Sequence, residues 1–192
     1  CALPISRRAL GYLVDRQNGD GGFHFIYDDP VRNKAGGPSD DRSRYYSYGS
    51  TTADGARGLF ITEWAIPAFD KNCARPPMKV DHPTGLEKAQ AWLKTHFRTD
   101  SHPGEYIAAH ERNREAVYFY YAASVAQTFR EQRVTDAGGK PWAEPLSAAL
   151  IARQRDDGSW INPVELVREN DPIVATCNTM IALAECRAAW VK

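Results

Sequence analysis

Two strings set carboxylates beside an aromatic ring: Gln154-Arg155-Asp156-Asp157-Gly158-Ser159-Trp160, and Gln17-Asn18-Gly19-Asp20-Gly21-Gly22-Phe23. Paired carboxylates are what general acid–base chemistry uses, and Asp28-Asp29, Asp40-Asp41 and Asp156-Asp157 are three such pairs. Their loop positions give a simpler reading, in which Asp and Gly turn the chain or cap a helix. Asp171 stands directly before a predicted helix, where it could act as a general acid but more simply serves as N-cap and helix-dipole partner; Glu105 and Glu111 have the same simpler explanation.

Aromatic faces are the other chemical resource. Tyr45, Tyr46 and Tyr48 precede one predicted helix, and Tyr118 and Tyr121 lie on another, where they could hold an apolar or cationic ligand or simply fill the core. Tyr48, Tyr118, Tyr121 and Asp171 are therefore the candidate ligand- or partner-binding residues. No residue is assigned to catalysis or to a metal, and no cofactor is expected. The four cysteines and five histidines lack the spacing of a zinc site. Cys177 and Cys186 stand too far apart on one predicted helix to bond each other and read as small core residues.

The 192 residues fit a single domain, 1–192, with a hydrophobic core of its own. Lys+Arg and Asp+Glu are 24 each, so the basic footprint of a nucleic-acid binder is missing. No apolar run reaches the roughly 18–20 residues of a bilayer span. The longest candidate, Ala116 to Ala126, is short and rich in tyrosine. Cys1 matches the first residue of a mature bacterial lipoprotein, which would place the chain outside the cytoplasm, yet a helical pattern begins at Ile5 with no polar tether before it. The compartment stays open.

Six helices must position these residues. Apolar spacing marks the first from Ile5 to Gln17, through Ala9, Leu10, Leu13 and Val14. Ser50-Thr51-Thr52 opens the second, with Ala53, Ala56, Leu59 and Phe60 on one side, ending before Pro67. Thr84 caps the third, with Leu86, Ala89, Trp92, Leu93 and Phe97 inward. The fourth is expected from about Asn113 to Gln132, with Tyr118, Tyr121, Ala122, Val125 and Phe129 on one stripe. The fifth runs from about Trp142 to Gln154 with Leu146, Leu150 and Ile151 inward, and the sixth starts at Pro172. Long loops connect them, and only Phe23 to Tyr27 suggests a short extended piece.

The helices form three consecutive pairs, and the outer pairs superpose. A shift of 137 aligns Leu13, Val14, Gln17, Asp20, Gly21 and Phe23 with Leu150, Ile151, Gln154, Asp157, Gly158 and Trp160. A shift of 124 aligns Thr52 with Thr176 and Leu59 with Leu183. The third helix is a worn copy, with Trp92, Leu93 and His96 in the places of Leu13, Val14 and Gln17. The glutamine can bond backbone left unpaired at a helix end, the glycine can take positive φ, and the aromatic ring can fold back as a cover.

This pattern resembles the QW-type repeats of the squalene cyclase and protein prenyltransferase superfamily, and is most similar to bacterial prenyltransferase/squalene-oxidase-repeat proteins. The resemblance covers roughly Ile5 to Ala189. It implies an all-α fold, an α/α toroid-like arc of about three helical hairpins with long loops, and a partner or further half that completes a ring. The acidic DxDD motif of squalene-hopene-type cyclases is missing. Ala175 stands where the resemblance would put a prenyltransferase zinc-binding histidine, before Thr176-Cys177.

Two functions follow as expectations. The first is a non-catalytic repeat module that binds a protein partner or an apolar ligand on a concave aromatic side, so that substitution of Tyr118 or Tyr121 weakens binding. The alternative is a terpenoid-cyclase-like or prenyl-transfer enzyme with non-standard catalytic residues, which requires a closed apolar cavity and a buried carboxylate.

Overall fold

The computed structural model describes residues 3–25, 33–37, 45–65 and 84–190. Cys1, Tyr27, Cys73, His82, the pairs Asp28-Asp29 and Asp40-Asp41, and the side chain of Ile5 lie outside that description. The fold is all-α, with six α-helices and one two-stranded hairpin among the described residues. The helices are α1 (Leu3–Arg16), α2 (Gly49–Phe60), α3 (Gly85–His96), α4 (Tyr118–Glu131), α5 (Ala143–Ile151) and α6 (Pro172–Trp190).

Local chemistry sets most of their ends. Thr84 begins α3 with a full capping box: its hydroxyl accepts from Glu87 N, and the Glu87 carboxylate accepts from Thr84 N at 2.7 Å. The α-helical start of α4 falls at Tyr118 rather than near Asn113, because Ala108–Val117 winds as a 3₁₀ helix. The Glu169 carboxylate accepts from Phe119 N and Tyr120 N and thereby satisfies first-turn donors that an α-helix leaves free. Past Phe60 the chain continues through a π-helical turn, Ile61–Ala65.

Phe23 to Phe25 does not form a strand. The carbonyl of Phe23 instead accepts from Tyr48 N at 3.1 Å and from the Thr51 hydroxyl at 2.7 Å. The strands are β1 (Asp136–Ala137) and β2 (Lys140–Pro141), folded around Gly138 and Gly139, both at positive φ.

In the interior, α4 packs against both α2 and α6, while α1 and α3 pack on α2 and α5 packs on α6. Phe129 of α4 sits 5.5 Å from the ring of Phe97 and 5.6 Å from Trp142, joining α3 and α5 to the same core. The stripe of Tyr118, Tyr121, Ala122, Val125 and Phe129 is wholly buried, as its spacing predicts. Ile151 differs from expectation: it is the last residue of α5 and faces solvent, as does Val14 near the end of α1. Cys186 is buried, but Cys177 is exposed on the opposite side of α6.

The two Gln–Gly–aromatic strings fold alike, bond for bond. Gln17 Nε2 donates to Gly21 O at 2.8 Å, and Gln154 Nε2 donates to Gly158 O at 2.9 Å. Asp20 accepts from Gly22 N as Asp157 accepts from Ser159 N. Gly21 and Gly158 both take positive φ, 89° and 83°. Phe23 N donates to the Thr52 hydroxyl, and Trp160 N to the Thr176 hydroxyl, so each string locks onto the second helix of its own pair. Gln17 also donates to Gly85 O at 2.8 Å, tying the first string to α3. His96 takes no part in such a clasp: its ring stacks on Trp92, 4.2 Å away, with Nδ1 2.8 Å from Trp92 O.

Candidate interaction surface

The tyrosines singled out by the sequence are interior. Tyr48, at the N-terminus of α2, is 1% exposed and meets the His102 ring edge-on at 5.5 Å. Tyr121 is 0% exposed, lies 5.2 Å from the same ring, and donates its hydroxyl to Arg98 O. Tyr118 is also buried; it donates to Thr99 O at 2.6 Å, and the Arg153 guanidinium lies 3.8 Å from its ring centre. Burial raises all three phenols above their ordinary range, that of Tyr118 to about 12. Tyr48 and Tyr121 thus share a neighbour in His102, while all three side chains pack the interior. Asp171 is exposed and caps α6, its carboxylate accepting from Ile173 N at 2.9 Å.

His102 and Glu169 were not foreshadowed as functional groups, and both hold helix N-termini. His102 Nε2 accepts from Ser50 N at 2.9 Å, in the first turn of α2. With Nε2 accepting, Nδ1 carries the proton and faces Arg114 O and the Tyr106 hydroxyl. Burial holds this imidazole far below its usual range, at about 3, so it is neutral. Burial raises the Glu169 carboxyl, while donors from Asn162, Tyr120 and Phe119 favour its ionised form. Each cap comes from a later part of the chain than the helix it serves; α6 is capped by its own Asp171.

A polar seam joins α2 to α4. The Asp54 carboxylate accepts from the Tyr120 hydroxyl at 2.8 Å and the Ser124 hydroxyl at 3.0 Å. Arg57 forks onto Glu131 and also donates to Gln127. Thr128 donates to Ala53 O and Gln132 to Ala56 O. Burial raises the Asp54 carboxyl, and burial together with that carboxylate raises the Tyr120 phenol to about 12. Tyr120 is the half-exposed tyrosine of α4, one position from Tyr121 and so turned about 100° away. The polar spacing 120, 124, 127, 131, opposite the apolar stripe, is the sequence signal that marks this seam.

On α6 the distribution of size is inverted. Ala175, Thr179, Ala182 and Cys186 are buried, whereas Ile173 is 74% exposed, Met180 53% and Ile181 40%. Cys177, between them, and Ala184, just beyond, are exposed as well. Ile173, Cys177, Met180, Ile181 and Ala184 follow helical spacing and form one face, opposite the small residues. From Ile173 to Ala184 the sequence contains no ionisable group other than Cys177. An uncharged, apolar helix face of this length is the kind of surface that marks an interaction site.

None of the described histidines, cysteines and acids assembles into a metal-binding group. No helix among the described residues is long and apolar enough to cross a membrane. Comparison with protein-family models, with curated proteins and with solved structures returns no match.

Proposed function

We propose that this chain is a non-catalytic helical repeat module, built on the plan of the squalene cyclase and prenyltransferase repeats, that binds a protein partner. The bond-for-bond agreement of the two Gln–Gly–aromatic clasps supports the repeat plan. The observation that carries the binding role is the exposed face of α6, where Ile173, Met180 and Ile181 stand in water without a charged residue among them.

This reading moves the docking surface from the buried tyrosines to α6. The enzyme alternative draws no support from the acids described. Glu169 is the buried carboxylate among the described residues, and its oxygens are engaged by Phe119 N, Tyr120 N and Asn162. Asp54 is tied to Tyr120 and Ser124 across the α2–α4 seam.

The test is a photo-crosslinking amino acid at position 180, compared with the same group at exposed Tyr12 on α1, in the cells that make the protein. A discrete adduct at 180 and none at 12 is expected. No adduct at 180, or the same smear of adducts at both positions, contradicts the reading.

A further inference from the structure

We propose that Asn18-Gly19 is a self-converting site: deamidation of Asn18 unlatches the first clasp from the segment that leads into α2, and the latch does not re-form. Asn18 is the only asparagine of the sequence that is followed by glycine. At such a step the backbone nitrogen of the glycine attacks Cγ of the asparagine, and a new C–N bond forms. The bond from Cγ to Nδ2 breaks, and Nδ2 leaves as ammonia with the proton given up by the glycine nitrogen. Water then opens the cyclic imide at either carbonyl, giving aspartate or isoaspartate; in isoaspartate the main chain runs through the side-chain carbon. Glycine offers the attacking nitrogen without a side chain to obstruct it. Gly19 is exposed, with open space where a Cβ would stand.

The amide of Asn18 is the latch itself. Its Nδ2 donates to Tyr45 O at 3.0 Å and to Ser47 Oγ at 2.8 Å, and the Ser47 hydroxyl gives its own hydrogen to Asp20 Oδ1 at 2.8 Å. Tyr45 and Ser47 are buried and lead directly to Tyr48 at the start of α2. While the latch is closed, the leaving nitrogen is held by two acceptors, so loss of ammonia requires that the clasp first open locally. After conversion the latch has no hydrogen to give. Tyr45 O and Ser47 Oγ each lose a donor, and the Ser47 hydroxyl can serve only one of two carboxylates, the new one or that of Asp20. The second clasp keeps the same backbone bonds without the convertible residue: Asn18 N donates to Gly22 O and Arg155 N to Ser159 O, both at 2.9 Å. In the Asp-Gly steps of the two clasps the glycine nitrogen is engaged, Gly21 N on Asn18 O and Gly158 N on Arg155 O. Among the described residues, Gly19 N has no such backbone bond.

Incubation of the purified full chain at mildly alkaline pH tests the proposal, with deamidation read by peptide mass spectrometry, isoaspartate by isoaspartyl methyltransferase, and the same protein unfolded in urea as reference. In urea, Asn18 is expected to convert faster than every other asparagine. In the folded chain its conversion is expected to be several-fold slower, and Ser47→Ala, which removes one acceptor of the latch, is expected to bring the rate towards that in urea. Equal rates in the folded and unfolded chain overturn the latch, and so does a Ser47→Ala rate equal to that of the folded wild type. The consequence is read by hydrogen exchange on Asn18→Asp. The amides of Tyr46 and Tyr48, which donate to Gly36 O and Phe23 O, are expected to exchange several-fold faster than in the wild type, while Trp160 in the second clasp is unchanged. Unchanged exchange at Tyr46 and Tyr48 overturns the proposal. Wild type converted after folding supplies the same readout if the variant does not fold.

Discussion

Gly21 and Gly158 occupy the same turn in two copies of one clasp, yet they are not equally replaceable. Both sit at positive φ, which costs a non-glycine residue about 1–2 kcal/mol. A Cβ on Gly21 would also lie 2.7 Å from the carbonyl oxygen of Lys88 in α3, whereas on Gly158 its nearest contact would be Gln154 Nε2 at 3.9 Å. Gly158→Ala is expected to cost about 1–2 kcal/mol in urea denaturation, and Gly21→Ala about 2–5 kcal/mol, since α3 must also shift. Equal losses would show that the first clasp does not grip α3. The clasp residues were legible in the sequence because turn chemistry is local. The fate of the tyrosines was not. Helical spacing groups Tyr118 with Tyr121 but cannot say whether their shared side faces a groove or the core, and the exposed ring belongs to Tyr120 between them.

Among the helices, caps separate what is local from what is not. The box of Thr84 and Glu87 spans three residues and can be read directly from the sequence. His102 caps α2 across 52 positions, and Glu169 caps α4 across 50, so nothing in the neighbouring sequence announces either. The His102 cap has a pH signature. Its imidazole titrates at about 3 in the fold and near 6.5 when unfolded, because burial disfavours the cation. Below 6.5 the unfolded chain takes up a proton that the folded chain refuses. The stabilisation is therefore complete above about pH 6.5 and is lost as pH falls towards 3, by up to about 1.4 kcal/mol per unit. Arg114 O and the Tyr106 hydroxyl face the ring, and the Glu115 carboxylate accepts from the His102 backbone N–H, so the comparison is with His102→Gln under matched conditions. Between pH 7 and 5 the wild type is expected to lose stability more steeply than the variant. Parallel profiles would mean that His102 is protonated in the fold.

At the scale of the molecule, the all-α architecture followed from periodicity, whereas the middle of the three expected helix pairs did not, since α3 packs chiefly on α2 rather than on α4. Nor did the covered side of the last helix. In α6 apolar residues lie all round, so periodicity assigns no inward face, and packing decides it by burying the small side chains and leaving Ile173, Met180 and Ile181 outside. The proposed docking role requires that this outer face be covered when the partner is bound. Two thiols of α6 report on it from opposite sides: Cys177 lies on the open face, while Cys186 is buried, its thiol raised to about 12 by burial. The most direct measurement is the rate of iodoacetamide alkylation at each, in the purified protein and in the cells that make it, read by peptide mass spectrometry relative to the same protein unfolded in urea. Cys177 is expected to react readily in the purified protein and several-fold more slowly in cells, with Cys186 slow in both. Equal Cys177 rates in the two settings would contradict a covered α6 face.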